Sequence, residues 1–300
     1  MSGNLRIGLI GYGEVGQTLA AQLATTSATL AAYDLQFADA NSVPTAAVRD
    51  RSSVDESATP IAAVSGRDLI VSAVTAEQCL AAARSVAAGL EPGTWFLDVN
   101  SVSPTTKQQA AAVIEAAGGR YVEAAVMSPI QPLGLASPIL LGGPHAEPFL
   151  AECGSLGLTS ASVRSSEIGV AAAAKMCRSV CIKGMEALVT ESLLAADFYG
   201  VSDDVVASLN NVLPGVDWAT HAPYLVSRSV QHGLRRAEEM REVAATLRDA
   251  AVEPWMTEAC VKRQQWAGLS GCEPTLNESL AALLDMPAVG QGAKNTARGG

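Results

Sequence analysis

A single lysine follows four alanines in the segment AAAAKMCRSVCIKG, residues 171–184, whose composition is that of a helix. The alanines are too small to shield an ammonium or to pair with it, but they leave room for a large molecule to approach Lys175. Partial burial disfavours the charged form of a lysine and lowers its pKa, so that proton transfer near neutral pH becomes feasible. Lys175 is therefore predicted either to be an ordinary surface charge on an alanine-rich helix or to lie where a large molecule approaches it closely.

A glycine-rich turn near the amino terminus gives a second chemical signal. The sequence GYGEVG (11–16) lies between a β-rich run, RIGLI, and a helix pattern, EVGQTLAAQLA. In that context Gly11 permits a tight turn, Gly13 lets a pyrophosphate approach the backbone, and Gly16 lets helix and strand pack closely. The amino terminus of the helix adds N–H donors and a positive dipole end for phosphates. The turn predicts a dinucleotide-binding site to which its other residues also contribute, namely Tyr12, Glu14 and Val15.

Asp34 ends the second β-rich run, ATLAAYD, eighteen positions beyond Gly16. A carboxylate at about this separation can accept hydrogen bonds from both hydroxyls of the adenosine ribose, and it repels a 2′-phosphate. No arginine follows Asp34 before Arg49, so NAD is favoured as the cofactor, with NADP as the alternative. Val74 and Thr75, at the end of a later β-rich run, are predicted to belong to the same site.

Short β-rich runs alternate with segments able to form helices as far as residue 165. The runs are RIGLI, ATLAAYD, DLIVSAV, TWFLDV, RYVEAAV and PILLGG. Strands joined by crossover helices form a parallel sheet that is covered on both faces. Residues 1–165 are therefore predicted to be a Rossmann-type dinucleotide-binding domain of the α/β class.

The β pattern stops after Ser166, and the rest of the chain has helical periodicity. Residues 167–198 are predicted to be one long interdomain helix, interrupted only by Gly184. Further helices are expected to be separated by Pro214, Pro223, Pro254 and Pro274. One of them carries an apolar stripe at Ala237, Met240, Ala244, Leu247 and Ala251. Residues 166–287 are thus predicted to be an all-α domain, and the polar, glycine-rich residues 288–300 to be disordered.

The composition limits the classes of partner. A formal net charge of -10 argues against nucleic acid, whose phosphates need a basic face, but it permits a small anionic substrate. Because neither a run of about 20 apolar residues nor a signal-peptide pattern occurs, a cytoplasmic protein that does not enter a membrane is expected. The six cysteines form no CxxC pair, so neither a metal site nor a disulfide scaffold is predicted.

Four motifs in order resemble the β-hydroxyacid dehydrogenase family, relatives of 6-phosphogluconate dehydrogenase. They are IGLIGYGEVGQTLA (7–20), DVNSVSP (98–104), YVEAAVMSP (121–129) and GVAAAAKMCRS (169–179). The resemblance implies hydride transfer between a nicotinamide cofactor and a small 3-hydroxy acid or its carbonyl counterpart. It makes Lys175 the general acid/base, on a helix that lines the cleft between two domains. The helical half resembles a subgroup with a distinct carboxyl-terminal domain, and in this class of fold that domain commonly forms a homodimer.

The resemblance also implies which residues bind the substrate. In the second motif, Asn100 and Ser101 hold the polar positions of a loop that touches nicotinamide and substrate; alternatively, they cap the helix that follows Pro104. Where the family has a Ser-Gly-Gly loop for the substrate carboxylate, this chain has Met127 and Ser128 followed by a proline. This departure leaves the identity of the substrate open.

Three further residues are candidate substrate ligands: Arg178, Ser179 and His232. Ser179 replaces the asparagine that follows the family's lysine by four residues, and Arg178 could pair with a substrate carboxylate or with a glutamate. His232 could close the substrate pocket from the helical domain. Alternatively, it only begins a charged helical segment in which Arg235 has the spacing for ion pairs with Glu238 and Glu239.

Two other functions remain open from the sequence. Imine-reducing enzymes share the two-domain plan, and the loss of the Ser-Gly-Gly loop keeps a reductase of C=N bonds as an alternative. A non-catalytic protein that binds NAD as a sensor is the other alternative, and it would retain the cofactor site without turnover.

Overall fold

The structure is a computed structural model that describes residues 5–270. The chain divides into two compact units, Met1–Arg178 and Ser179–Gly300, and the division falls within one long helix. The predicted disordered tail, residues 288–300, and the predicted end of the helical domain at residue 287 lie outside the described residues. The fold class predicted from the sequence is confirmed, since a unit with a largely parallel sheet precedes an all-α unit.

The secondary structure of residues 5–270 comprises one set of strands and two sets of helices. The strands are β1 (Arg6–Ile10), β2 (Thr29–Tyr33), β3 (Val54–Glu56), β4 (Leu69–Ser72), β5 (Trp95–Asp98), β6 (Arg120–Val126), β7 (Ile139–Gly142) and β8 (Ala161–Ser165). The helices that alternate with them are α1 (Glu14–Leu23), α2 (Val43–Arg49), α3 (Pro60–Val64), α4 (Cys79–Val86), α5 (Pro104–Ala116) and α6 (Ala146–Cys153). The helices that follow are α7 (Val170–Phe198), α8 (Ser202–Val212), α9 (Trp218–Asp249) and α10 (Trp255–Gly268).

The strands form one sheet in the order β3-β2-β1-β4-β5-β6-β7-β8. Neighbouring strands are parallel except β6 and β7, which are antiparallel because the connection between them carries no crossover α-helix. The six predicted strands are confirmed, but the sequence pattern does not predict β3 and β8. β3 has only three residues, and β8 is a partly exposed edge strand, so neither has the apolar run of a central parallel strand.

Two apolar clusters pack on the two faces of this sheet. Leu97 lies in the cluster that includes residues of α1 and α6, whereas Phe96 lies in the cluster that includes residues of α4 and α5. Adjacent strand residues point to opposite faces, so both faces of β5 are buried. Each fully buried side chain of this kind contributes about 1.5–3 kcal/mol, and the sheet is a well-packed base for the loops at its edge.

The carboxyl ends of β1, β4 and β5 lie side by side. In the register of the sheet Ile10 pairs with Ser72, and Ser72 pairs with Asp98. The loops that follow these three strands therefore leave the sheet next to one another, at the edge where open α/β sheets bind ligands.

In the helical unit, α9 and α10 cross at two glycines. A Cβ atom on Gly233 would lie 2.2 Å from the carbonyl oxygen of Gln264, and one on Gly268 would lie 2.5 Å from the amide nitrogen of Leu234. Because real Cβ atoms do not approach other atoms this closely, only glycine permits the crossing. None of the helices within residues 5–270 combines the length and the apolar character needed to cross a membrane.

α9 is longer than its sequence pattern predicts. Pro223 lies inside the helix, so the expectation that this proline separates two helices is wrong. It lies near the helix start, where it removes one backbone hydrogen bond, and burial of the apolar face supports the remaining turns. The predicted stripe is buried at Ala237, Met240 and Ala244, whereas Ala251 lies beyond the helix end and is exposed.

The helical unit also buries charged side chains. Lys183 pairs with Glu239, and Arg236 pairs with Glu186; each of the four is less than a tenth exposed. Arg235 makes the predicted intrahelical pair with Glu239, at 2.8 Å. Burial lowers the pKa of Lys183, and the neighbouring carboxylate of Glu239 opposes that effect.

Candidate functional site

The glycine turn between β1 and α1 has the geometry that its sequence predicts. Gly11 has a φ of +93°, and a Cβ atom on it would lie 2.3 Å from the carbonyl oxygen of Ala73. A Cβ atom on Gly16 would lie 2.2 Å from the carbonyl oxygen of Gly11. Gly13 differs, because its φ is -74° and, apart from its own atoms and its chain neighbours, no atom comes within 4 Å of the position of its Cβ. The fold therefore requires Gly11 and Gly16, whereas Gly13 leaves space for a ligand.

The carboxylate of Asp34 is held beside this turn by two backbone amides. Its Oδ2 accepts a hydrogen bond from the N–H of Tyr12 at 2.6 Å, and its Oδ1 accepts one from the N–H of Gln36 at 2.8 Å. The ring of Tyr12 is buried in an apolar cluster, so Tyr12 contributes to the site through its backbone.

A cavity of about 480 Å³ opens beside the turn and Asp34. Five of the predicted cofactor-binding residues line it: Gly11, Gly13, Asp34, Val74 and Thr75. The other five do not line it. Tyr12 is in the core, Glu14 and Val15 begin α1, Gly16 packs against Gly11, and Asn100 lies behind Val74, whose N–H it binds.

The chemistry of the cavity walls fits a dinucleotide. Strand ends and residues of α2, α3 and α4 give it mainly apolar walls, which suit an adenine ring. The fixed carboxylate of Asp34 suits the ribose hydroxyls, and the open position at Gly13, where α1 begins, suits the pyrophosphate.

Asn100 connects this cavity to the loop after β5. Its side-chain oxygen accepts a hydrogen bond from the N–H of Val74 at 2.7 Å, and its side-chain nitrogen donates one to the hydroxyl of Ser72 at 2.9 Å. Asn100 is buried, and its side chain therefore fixes the loop against the strand that supplies the cavity wall.

Lys175, which lies on α7, contacts the same loop. Its Nζ donates a hydrogen bond to the Oγ of Ser101 at 2.5 Å, and the lysine is half-buried. Helix α5 is capped by Ser103, whose hydroxyl accepts a hydrogen bond from the N–H of Thr106. The alternative in which Asn100 and Ser101 cap that helix is therefore wrong, and the hydroxyl of Ser101 is instead directed to the lysine.

The start of α7 is anchored to the sheet by Glu123 on β6. The carboxylate accepts hydrogen bonds from the backbone N–H groups of Gly169, at 2.6 Å, and of Ala172. A helix amino terminus has unpaired N–H donors and a positive dipole end, and a carboxylate there satisfies both. Burial raises the pKa of Glu123, and the positive charge of Lys107 opposes this.

The remaining predicted substrate ligands have other surroundings. Met127 donates its N–H to the carbonyl oxygen of Pro138 at 2.8 Å, and the hydroxyl of Ser128 donates to the carbonyl oxygen of Pro129 at 3.0 Å. Arg178 is exposed on α7 at the end of the first unit. The last two lie in the helical unit, where Ser179 is buried and His232 is partly buried in the middle of α9.

Sequence patterns missed three buried ionisable residues beneath the site: Asp98, Lys107 and Glu123. Central strands of a parallel sheet are usually continuous apolar runs, so an acid within TWFLDV and another within RYVEAAV are the signals that could have identified two of them. Lys107 lies on a helix with an ordinary mixed composition, and its burial has no signal in the sequence.

Two family models match the chain. The NAD-binding domain of 6-phosphogluconate dehydrogenase matches residues 6–147, and a domain of unknown function, DUF1932, matches residues 196–267.

Three solved structures are similar to this chain over at least 90% of its length. A conserved hypothetical protein from Sinorhizobium meliloti 1021 is 33% identical, with a TM-score of 0.70, over 94% of this chain and 97% of its own. The conserved protein MTH1747, of unknown function and structurally similar to 3-hydroxyacid dehydrogenases, is 31% identical, with a TM-score of 0.64, over 90% of this chain and 100% of its own. A reductive aminase from Aspergillus terreus, in complex with NADPH and ethyl levulinate, shares the fold at 18% identity, with a TM-score of 0.57, over 94% of this chain and 99% of its own.

Proposed function

Because the chain belongs to the 6-phosphogluconate dehydrogenase-like family, in the subgroup whose helical half is DUF1932, we propose that it is a nicotinamide-dependent oxidoreductase. Its substrate is a small 3-hydroxy acid or the corresponding carbonyl compound, and Lys175 is the general acid/base. MTH1747, with 31% identity, is a protein with structural similarity to 3-hydroxyacid dehydrogenases, which supports this substrate class.

One series of contacts carries the proposal. Val74 lines the cavity and donates its N–H to Asn100, and the next residue, Ser101, accepts the hydrogen bond of Lys175. The cofactor cavity and the lysine are therefore joined through two consecutive residues of one loop. A general acid/base must lie close to the reacting end of the cofactor, and this loop supports such a position.

The chemistry of the chain itself is proton transfer and orientation. When bound, the nicotinamide would accept or supply the hydride. In oxidation the neutral amine of Lys175 takes the proton of the substrate hydroxyl, and in reduction the ammonium returns a proton to the developing alkoxide. The hydroxyl of Ser101 orients the amine by accepting one of its hydrogen bonds. The loop of Asn100 and Ser101 would also offer polar groups to the substrate.

We propose NAD rather than NADP as the cofactor. The carboxylate of Asp34 is fixed at the cavity wall by the two N–H groups of Tyr12 and Gln36, so it cannot easily turn away from a 2′-phosphate. None of the residues that line the cavity in the described part of the chain is a lysine or an arginine that could bind that phosphate.

Reduction of a C=N bond is the second candidate function. The segment that replaces the family's carboxylate-binding loop offers few N–H donors, because Pro129 has none and the N–H of Met127 is bonded to Pro138. The reductive aminase with the same fold supports this candidate. A third candidate is a sensor that binds NAD without turnover.

Turnover by the wild-type protein and by a Lys175→Ala variant tests the proposal. NAD with 3-hydroxypropionate, 3-hydroxyisobutyrate or serine measures oxidation, and NADH with 1-pyrroline measures imine reduction. The variant is expected to lose about 10²–10⁴-fold in hydroxy acid oxidation, the usual contribution of a positioned acid/base. The matched control is Lys262→Ala, at an exposed lysine of α10.

Each outcome selects one function. Loss of hydroxy acid oxidation in Lys175→Ala but not in Lys262→Ala supports the dehydrogenase. Imine reduction that does not depend on Lys175 supports the C=N reductase, because an imine arrives already protonated. Saturable NADH binding with no turnover of either class of substrate supports the sensor.

A further inference from the structure

Two carboxylates are buried side by side on neighbouring strands beneath the site. Asp98 on β5 is 1% exposed and Glu123 on β6 is 0% exposed, and the two residues are register partners. Register partners of adjacent strands point to the same face of a sheet, here the face of α5. Burying one carboxylate is costly, and burying two together requires compensating groups.

The first carboxylate fixes the loop that carries Ser101. Oδ1 of Asp98 accepts a hydrogen bond from the N–H of Asn100 at 2.9 Å, and Oδ2 accepts one from the hydroxyl of Tyr121 at 2.6 Å. Burial raises the pKa of Tyr121 well above its ordinary value, so this phenol remains a donor. The direction in which the chain leaves β5, and with it the position of Ser101, is set by this carboxylate.

The second carboxylate fixes the helix that carries Lys175. Glu123 accepts hydrogen bonds from the N–H groups of Gly169 and Ala172, at the first turn of α7. Lys175 follows Ala172 by three residues, one turn along the same helix. A shift of the helix start would therefore be passed to the amine of Lys175.

Lys107 on α5 contacts the first of the two carboxylates. Its side chain is 1% exposed, and its Nζ lies 2.8 Å from Oδ1 of Asp98 and donates to the carbonyl oxygen of the same residue at 2.8 Å. Its positive charge also lowers the pKa of Glu123 against the effect of burial. One buried ammonium thus neutralises part of the charge of both acids.

We propose that Lys107 is a positioning residue for Lys175. It holds Asp98 in the orientation that fixes the Ser101 loop, and Asp98 is the register partner of Glu123, which fixes the start of α7. The Ser101 side of the contact with Lys175 is thereby held by one buried cation, and the Lys175 side by the carboxylate on the neighbouring strand. Buried ion pairs contribute little net stability compared with apolar residues of similar volume, so stability alone does not account for three buried charges in this place.

The proposal rests on the proposed function only where turnover is the readout, and a second readout is independent of it. Lysine amines can be converted to ¹³C-dimethylamines and observed by NMR, and the signal of Lys175 is assigned from its absence in Lys175→Arg. In Lys107→Met, this signal is expected to move from its wild-type position toward that of the exposed Lys262. The value of kcat is expected to fall by about tenfold or more, because small displacements of a catalytic group have effects of this size.

The matched control is Lys183→Met in the helical unit. Lys183 is also a buried lysine paired with a carboxylate, so the same substitution removes a comparable ion pair elsewhere. We expect it to lower the thermal midpoint of unfolding, to leave the signal of Lys175 in place and to keep kcat within about twofold of wild type. If both variants move the signal equally, Lys107 has no special role and the proposal is overturned.

Glu123→Gln keeps the test decisive if Lys107→Met does not fold. It replaces one of the two oxygens that accept hydrogen bonds from the start of α7 and should move the Lys175 signal in the same way, so an unmoved signal contradicts the proposal. Failure of the proposed function has a different signature, in which Lys107→Met moves the signal but the wild-type protein turns over no hydroxy acid. Failure of the positioning role alone leaves both the signal and kcat of Lys107→Met at wild-type values while Lys175→Ala is inactive.

Discussion

Lys175 and Ser101 are 74 positions apart in the sequence, and the lysine amine lies 2.5 Å from the serine hydroxyl oxygen. The serine follows β5 in a loop bonded to the wall of the cofactor cavity, and the lysine lies in the second turn of α7. A hydroxyl that accepts a hydrogen bond from an amine fixes the position of that amine relative to the loop. The pair is therefore the structural centre of the proposed reaction.

Replacing Ser101 with alanine should slow the chemical step. A hydrogen bond to a charged group contributes about 1.5–3 kcal/mol, which corresponds to a fall in kcat of about ten- to a hundred-fold if it is lost in the transition state. Steady-state kinetics with NAD and the best hydroxy acid measure the change. Ser101→Thr keeps the hydroxyl and is the matched variant, so similar losses in both variants would show that the hydroxyl itself is not the active feature.

Two glycines of the first turn should respond in opposite ways to a methyl group. Gly13→Ala places the methyl group in open space at an ordinary φ, so the free energy of unfolding should stay within about 0.5 kcal/mol of wild type. NADH affinity should nevertheless fall by about tenfold or more, since the pyrophosphate is expected to approach there.

Gly16→Ala is the partner variant for that comparison. Its methyl group would meet the carbonyl oxygen of Gly11, so chemical denaturation should show a loss of about 1–3 kcal/mol in stability. Unchanged NADH titrations with Gly13→Ala would contradict the location of the cofactor.

Removing the charge of Asp34 should weaken the discrimination against NADP. Asp34→Asn keeps an oxygen for one of the backbone donors but no longer repels a 2′-phosphate, so the ratio of the NADPH to the NADH dissociation constant should fall by about tenfold, or 1.4 kcal/mol. Fluorescence titration with both cofactors measures the ratio. Asp39→Asn, at an exposed acid outside the cavity lining, should leave the ratio as it is in wild type.

The burial of Glu123 should appear in the pH dependence of stability. Its pKa is raised in the folded protein, so between its unfolded value, about 4.5, and the raised folded value the folded state binds more protons than the unfolded state. The stability contributed by the protonated carboxyl is present below this window and is lost as the pH rises through the folded pKa. Glu123→Gln lacks this loss. The free energy of unfolding of the wild type should therefore fall relative to that of the variant as the pH rises through this window. Parallel stability curves in urea would contradict the assigned shift.

An apolar stripe on α7 supports the expected homodimer, which we propose forms through the helical domain. Ile182, Met185 and Leu188 recur at three-residue spacing and are 40%, 36% and 57% exposed. Burial of such a stripe is favourable, and a charge within it is not. Leu188→Glu should therefore lower the mass measured by sedimentation to that of a monomer, and a wild-type protein that is already monomeric would contradict the dimer.

Local patterns predicted the parts of the fold that depend on short-range rules. The turn after β1 needs glycines at fixed places, and Asp34 follows Gly16 at a spacing common to many dinucleotide sites. Apolar runs marked the central strands. The spacing of Arg235 and Glu239 likewise predicted an intrahelical pair that the structure contains. Each of these rules acts over fewer than about twenty residues, within reach of a sequence pattern.

Features that depend on partners distant in sequence had no such pattern. The pairing of Lys183 with Glu239 joins two helices, and the cap of α7 comes from a strand 46 residues before Gly169. The cap of α5 is Ser103 rather than the two polar residues before it, because only Ser103 immediately precedes the first turn. Tertiary packing decides these contacts, and a single sequence does not display it.

The most direct test is a crystal structure with NAD and 3-hydroxypropionate bound. The account predicts a substrate hydroxyl oxygen within hydrogen-bonding reach of the Lys175 Nζ, about 2.6–3.2 Å, with the nicotinamide ring on the opposite side of the reacting carbon. A dinucleotide bound in the cavity beside Asp34 with its nicotinamide end directed away from Ser101 and Lys175 would contradict the account.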